Sequence, residues 1–472
     1  MSTSTALTTT ETISLAAVSW ASVAVLANTF RGDGEPLIAS IAFSALAFAA
    51  CYALIRWLGG AFMRRGFKGK DLCKVKKTEI PETMGAVCAM VYLFVVIFFI
   101  PWPFYKDIVV ATSGGGNRDV IKELEQVETG RFLHKFPHNK LASFLGAILS
   151  LQCIVLLGIG DDLFDIRWRH KVLIPAVASI PMLVVYFVDF GVTQMVVPLP
   201  LRPYLGDLFD LGDPFVDVAD QFSGWLYYVY MALLSIFSSN SINILAGING
   251  IEVAQSIVIA VLIAGNDMLY LSPFTSYPHP ATDSHLFSLY FLLPFIGVSM
   301  ALLKHNWYPA KVFVGDTYCY FAGMVFAVVA ILGHFSKTLI LLLLPQAFNF
   351  VYSAPQLFHL IPCPRHRLPH FNARTGLLEP SRVQFQRPLR RPIAESLKVL
   401  HRLRLLDLEI DENGQVLSSS NFTLINLWLV WFGPMREDRL ALGLLAFQFA
   451  VGILGLFVRH RMALLIFTAD NW

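Results

Sequence analysis

The sequence predicts an all-α, polytopic membrane protein of about ten transmembrane helices, with a small cytosolic α/β insertion between the last two. Three observations carry that expectation. Hydrophobic residues make up 56% of the 472-residue chain and charged residues only 15%, with a mean hydropathy of +0.59, well outside the composition of soluble domains. Apolar stretches recur at lengths that cross ~30 Å of hydrocarbon as helices. Basic residues gather in particular loops instead of spreading along the chain.

The apolar stretches run over residues 37–59, 84–104, 140–160, 172–190, 225–246, 251–271, 286–303, 317–333, 338–357 and 440–458. Each reads as helix, because a segment crossing lipid has to satisfy its backbone polar groups internally. A shorter candidate at residues 13–28 follows a Ser/Thr leader that lacks the basic start of a secretory signal. It reads equally well as a span or as a surface helix. The chain therefore divides into an N-terminal extension (1–35), nine helices with catalytic loops (36–357), a cytosolic loop with a small α/β unit (358–439), and the last helix with its tail (440–472).

Arg64, Arg65, Lys68, Lys70, Lys74, Lys76 and Lys77 follow the first stretch and assign that loop to the cytosol. By parity, 161–171, 243–252, 304–316 and 358–439 share its face. The opposite loops fit: 191–224 holds Arg202 as its single basic residue, and 272–285 holds no Lys or Arg. Loop 105–139 carries Lys106, Arg118, Lys122, Arg131 and Lys135, balanced by acids. Within it, Gly114 to Gly116 read as a flexible tip, since the Lys-Ser/Thr and following helix of a phosphate-binding loop are missing. In 358–439, Thr375-Gly376 and Asn413-Gly414 read as strand-connecting turns. The sequon Asn421-Phe422-Thr423 falls on the cytosolic face and is expected to be unmodified. Cys51, Cys73, Cys88, Cys153, Cys319 and Cys363 imply no disulfide framework, and a net charge of +3 gives no reason to expect nucleic acid as a partner.

Five polar motifs converge on the assigned cytosolic face. Asp161 and Asp162 stand at the end of an apolar run, followed by Asp165, Arg167, Arg169 and Lys171. Carboxylates at a membrane edge cost free energy unless a cation or proton transfer offsets them. Interfacial helix-end charge is the plainer alternative. Lys70, Asp71, Leu72 and Glu82 lie in a lysine-rich loop that also serves as a positive-inside anchor. Asn240, Asn243, Gly247, Asn249 and Gly250 combine amide oxygens, which are hard ligands suited to Mg²⁺, with glycines that permit close approach of a flat ligand. Helix capping would account for the same asparagines. Asp316 follows Gly315 at the start of an apolar stretch, as a helix N-cap or a second metal ligand. Pro362-Cys363-Pro364-Arg365-His366-Arg367 offers guanidinium forks that match phosphate oxygens.

These residues carry a resemblance. Asp-Asp-x-x-Asp-Ile-Arg-Trp-Arg-His-Lys, Asn-Ile-Leu-Ala-Gly-Ile-Asn-Gly, His-Asn-Trp-Tyr-Pro, Val-Phe-Val-Gly-Asp-Thr, Gly-His-Phe-Ser-Lys-Thr and Pro-Cys-Pro-Arg-His-Arg, over roughly residues 60–465, resemble the polyprenyl-phosphate N-acetylhexosamine-1-phosphate transferase superfamily. The bacterial Asp-Gly-x-Asp-Gly is here Ala246-Gly247-Ile248-Asn249-Gly250, which favours the eukaryotic dolichol branch. Where this chain has Asp165, animal members carry Asn.

The resemblance implies transfer of GlcNAc-1-phosphate from UDP-GlcNAc to dolichyl phosphate in the endoplasmic reticulum membrane, the first step of lipid-linked oligosaccharide synthesis for N-glycosylation. It implies Mg²⁺ on Asn243 and Asp316, with Lys171 at the lipid phosphate. Ile236, Phe237, Ser238, Ser239, Asn240, Ser241, Ile242, Asn243 and Ile244 would line the dolichyl phosphate site. Leu72, Glu82 and Asn249 would hold the uridine, with Lys70 and Asp71 also at the UDP-GlcNAc site; Gly247 and Phe313 would sandwich uracil, and Arg365, His366 and Arg367 would grip the pyrophosphate and sugar. A homodimer and sensitivity to tunicamycin are implied in the same way. Asp161, Asp162 and Lys171 are the candidate catalytic set. Dolichyl phosphate is largely dianionic at pH 7, its second pKa being ~6, so the two acids are expected to organise Lys171 and the metal region, with proton abstraction as the alternative. A transporter would place its polar groups near mid-span, often in paired repeats, and a silent scaffold would bind neither substrate.

Overall fold

The computed structural model describes residues 7–31, 35–75, 77–112, 136–164, 166–189, 194–196, 208–210, 225–271, 281–364, 367–386, 389–412, 414–462 and 465. The protein is a helical bundle with small two- and three-stranded sheets. Each of the ten apolar stretches coincides with helix. Six helices are long and apolar enough to cross a membrane, or seven if the bent pair Ser336–Leu342 and Leu344–Leu357 is one span. Met84–Phe99, Ile174–Asp189 and Asp316–Leu332 are apolar but shorter. The candidate at 13–28 lies within α1 (Thr9–Arg31), itself one of the six. It is tied to the bundle where Tyr52 Oη donates to Glu11 Oε1 at 2.7 Å and Trp102 Nε1 donates to Thr29 Oγ1 at 3.1 Å.

Asp316–Leu332 is the central pillar. Its residues are apolar around the whole circumference, and every one from Thr317 to Leu332 is buried, as expected of a helix with no solvent- or lipid-facing stripe. Around it pack Met84–Phe99, His138–Phe164, Trp225–Ile244 and Thr282–Asn306, and Pro36–Arg64 lies against the last of these.

The 65° bend between Ser336–Leu342 and Leu344–Leu357 has a local cause. Pro345 opens the second helix and cannot donate a backbone N–H. The Leu342 carbonyl at the break accepts from Gln448 Nε2 at 2.8 Å, and Gln346 Nε2 donates to both Gln448 Oε1 and Gln255 Oε1. Gln255 in turn donates to the carbonyls of Ile242 and Leu245, where helix Trp225–Ile244 ends. Three buried glutamines thus carry the bend's hydrogen bonding to the edge of the cavity described below.

Residues 358–439 form a hairpin of His370–Asn372 and Leu377–Glu379, turning at Gly376, and a three-stranded sheet in the order Arg382–Gln384, Val416–Ser420, Leu408–Ile410. Helix Arg391–Arg402 covers this sheet through Leu397, in a small core with Ile361, Leu406 and Phe422. Both expected turns are present, with Gly376 and Gly414 at positive φ, while Asn413 lies outside the described residues. Asn421 of the sequon is buried, its Nδ2 donating to Ser381 Oγ and its Oδ1 accepting from Gln356 Nε2, both at 2.8 Å. In the folded chain that amide is closed to modification. Gly114 to Gly116 and most of loops 191–224 and 272–285 lie outside the described residues.

Candidate active site

Loops distant in sequence meet at one end of the bundle around a cavity of about 330 Å³. Among residues expected from the sequence, Lys70, Asp71, Leu72, Glu82, Asn243, Gly247, Asn249, Phe313 and Asp316 line it. Leu368, next to Arg367, also lines the cavity and closes over Gly247. Arg367 is half-buried; its Nη1 is buried with no hydrogen-bond partner among the described residues, and its carbonyl accepts from Asn426 Nδ2 at 3.0 Å. Arg365, His366 and Asp165 lie outside the described residues.

The acidic pair separates in space because consecutive helix residues point about 100° apart. Asp161 is 1% exposed and accepts from Lys171 Nζ at 3.0 Å and from the Ile166 N–H at 3.0 Å. Lys171 Nζ also donates to Asp316 Oδ2 at 2.7 Å, and Asp316, 35% exposed, opens to the cavity. Burial alone would depress the Lys171 ammonium. The charges of Asp316 and Asp161 and the hydrogen bonds to them outweigh it and hold the pKa above the ordinary lysine value.

Asp162 turns to the central helix instead. Its Oδ1 accepts from the Asp316 N–H at 2.9 Å, and its Oδ2 from the Thr317 N–H at 3.2 Å and Thr317 Oγ1 at 2.5 Å. The helix starts after Gly315, which has no side chain to cap it. Asp162 supplies the missing cap from another helix, where a carboxylate also meets the positive end of the helix dipole. Two glycines make the approach possible. A Cβ on Gly158, one turn before Asp162, would sit 2.9 Å from Thr317 Cα, and Gly315 holds φ at +80° with Thr83 Cα 2.8 Å from where a Cβ would stand.

The stretch 236–244 divides by face. Ser238 Oγ donates to the Gly323 carbonyl at 2.8 Å, and Ser239, Ser241 and Ile242 are buried in the helix packing. Phe237 contacts Phe350 at 6.5 Å, Asn240 Nδ2 donates to the Ile236 carbonyl at 2.8 Å, and Ile244 closes the helix. Asn243 alone of this stretch lines the cavity.

Several wall residues escaped the sequence reading. Asn306 lines the cavity with its Oδ1 buried and unpartnered, since its Nδ2 donates to the Val312 carbonyl at 2.8 Å. Glu252 accepts from the Gly247 N–H at 3.0 Å, and Glu437 accepts from the Asn249 N–H at 2.7 Å. Acids in the first turn of a helix look like ordinary dipole partners in a sequence. Only their convergence on one cavity distinguishes them. Glu82 is raised above the usual carboxylate range, by burial first and by the charge of Asp316 second.

Mg²⁺ fits this donor set. Asn243 and Asp316 present hard oxygens from different helices to the same cavity, and no group of three or more His, Cys, Asp or Glu suited to a metal occurs among the described residues. Such a two-ligand arrangement suits an ion that takes its remaining ligands from substrate phosphates and water.

A polytopic helical bundle with carboxylates and amides gathered around a cavity at one end defines a membrane protein with a polar site at the end of its helices. Residues 144–334 match the family described as Glycosyl transferase family 4. The UDP-N-acetylglucosamine--dolichyl-phosphate N-acetylglucosaminephosphotransferase of Saccharomyces cerevisiae is 53% identical over 436 residues, covering 92% of this chain and 94% of that one. The Schizosaccharomyces pombe protein of the same name is 48% identical, covering 94% and 97%, and that of Dictyostelium discoideum 37%, covering 87% and 86%. The chain belongs to this family of N-acetylglucosaminephosphotransferases.

Proposed function

We propose that the protein transfers GlcNAc-1-phosphate from UDP-GlcNAc to dolichyl phosphate, releasing UMP and forming GlcNAc-PP-dolichol, in the endoplasmic reticulum membrane with its cavity facing the cytosol. The observation that carries this reading is Lys171, held between Asp161 and the cavity-wall residue Asp316. An ammonium has three N–H donors. Among the described residues two are committed to carboxylates, and the third would serve an acceptor-phosphate oxygen.

Phosphoryl transfer asks a protein chiefly for positioning and charge stabilisation. Asn243 and Asp316 would hold Mg²⁺, which supplies charge neutralisation at the pyrophosphate when bound. Asp161 fixes Lys171, and Asp162 fixes the helix start that carries Asp316. Arg367, next to Leu368 of the cavity wall, would supply a guanidinium to the pyrophosphate or sugar. Leu72, Glu82, Asn249, Gly247 and Phe313 form the uridine side of the cavity. Because the attacking phosphate oxygen already carries negative charge, no side chain has to remove a proton. The ten-span topology is supported by a helix at each of the ten apolar stretches.

The test is direct. Purified protein in detergent, given radiolabelled UDP-GlcNAc, Mg²⁺ and dolichyl phosphate, yields solvent-extractable labelled lipid and an equal amount of UMP. Label that stays water-soluble, with no UMP, overturns the reading.

A further inference from the structure

The nucleotide side of the cavity rests on an ion network that joins three distant segments of the chain. Lys74 forms an ion pair with Glu437, at the start of the last helix, and a second with Asp71 Oδ2 at 3.2 Å. Glu437 is 3% exposed and Asp71 is 7% exposed, so water screens neither charge. Asn249 receives both carboxylates. Its backbone N–H donates to Glu437 Oε1 at 2.7 Å, and its Nδ2 donates to Asp71 Oδ2 at 3.1 Å. Asp71 Oδ1 accepts from the Cys73 N–H at 3.2 Å, and the Tyr308 ring lies against Lys74 at 4.5 Å.

This wiring has a chemical consequence. Without Lys74, the carboxylates of Asp71 and Glu437 would share a buried site uncompensated. Without Glu437, the Asn249 N–H would lose its acceptor and Lys74 one of its two counter-charges, and removing one partner of a buried ion pair is strongly destabilising locally. One N–H of Nδ2 is committed to Asp71, which fixes the flip of the Asn249 amide and turns its acceptor Oδ1 away from that carboxylate. A fixed acceptor reads an imide N–H, as in uracil, and is mismatched to the bare ring nitrogen that cytosine carries at the same position.

We propose that Lys74 and Glu437 are positioning residues for nucleotide recognition, setting through Asp71 the orientation in which Asn249 presents its acceptor to the base. The inference rests on the proposed use of UDP-GlcNAc and adds to it the residues that preorganise the site. Neither side chain needs to touch the substrate.

The test is a comparison of Glu437→Gln and Lys74→Met with the parent protein, measuring KM for each substrate, kcat, and UMP and CMP binding by calorimetry. The expected result is a rise of about tenfold in KM for UDP-GlcNAc and in the UMP dissociation constant. KM for dolichyl phosphate stays unchanged, and the preference for UMP over CMP narrows. Lys74→Arg, which keeps the charge, restores most of the affinity. Should Glu437→Gln fail to fold, Glu437→Asp shortens the same carboxylate and is expected to give the same pattern at smaller size. An unchanged UMP affinity, or an equal loss in both KM values and kcat, overturns the proposal. A parent protein that binds no UMP overturns the functional reading itself.

Discussion

The bundle buries polar groups at both ends, and the two ends are built on opposite principles. At the cavity end, Asp316, Asn243 and Asn306 line an open cavity, with Lys171 and Asp161 behind Asp316, and the backbone around them is interrupted by loops. Along Ile251–Leu271, roughly 22 Å from Glu252, Asp267 belongs to a buried cluster that joins helices. His285 Nδ1 lies 2.6 Å from Asp267 Oδ1, and its ring is stacked on Tyr270 at 3.9 Å and Phe335 at 5.5 Å. Beside it, His460 Nε2 lies 2.9 Å from Asn266 Oδ1. Buried polarity is therefore not by itself a mark of function in this bundle. What marks the working end is polarity left open to a cavity, whereas the far end spends its polarity on fastening helices together.

The sharpest way to break this contrast is at Asp316. Asp316→Asn keeps the shape and the helix start but removes a carboxylate from the metal and lysine side, so kcat is expected to fall by about a hundredfold or more. The unfolding midpoint should stay within a few degrees, because the group is partly exposed. The radiolabel assay and a thermal melt on the same preparation check both halves. At the other end, His285→Ala leaves the Asp267 carboxyl buried without its partner and is expected to cost roughly 3 kcal/mol. The transfer rate per folded molecule should change less than twofold.

Asp162 lies between these extremes, since its side chain caps a helix that carries a site residue. Asp162→Ala is expected to lose about 1–2 kcal/mol of cap energy and to raise the Mg²⁺ concentration needed for half-maximal rate. A mutation that shifts stability alone would make Asp162 purely structural. The smallest effect concerns pH. The rate is expected to decline below about pH 6 as the acceptor phosphate takes up its proton, and this limb should persist in Asp161→Asn. A limb that disappears in that variant would restore Asp161 as a base. Lys171 gives no decline between pH 7 and 9. Its folded pKa is raised, so its contribution is complete below the ordinary lysine value of ~10.4 and is lost only as pH rises through the folded value.

Much of the cavity could be read from the sequence because polar groups at membrane edges are costly and so stand out against apolar runs. Asn243, Asp316 and the segment from Lys70 to Leu72 were legible for that reason, as was Lys171 behind Asp316, and the cavity brings together loops that charge parity assigns to one face. Asp161 and Asp162 could not be told apart, because adjacent acids look equivalent until the helix turns them to different neighbours. Glu437 was hidden by distance, since its partner Lys74 is 363 residues away in the chain. The Asp267–His285 cluster gave no signal either, because each residue alone resembles a helix-end charge. The ten apolar stretches were legible as helices from their composition. The 65° bend was not, because Pro345 lies inside one continuous apolar stretch and the glutamines that satisfy the break come partly from other helices.

The central claim is that catalysis and fastening are separated between the two ends. Measuring transfer rate and unfolding midpoint for Asp316→Asn and His285→Ala side by side tests it most directly. The account predicts that Asp316→Asn loses transfer while keeping its midpoint, and that His285→Ala loses its midpoint while keeping transfer. Comparable losses of both quantities in both variants would contradict it.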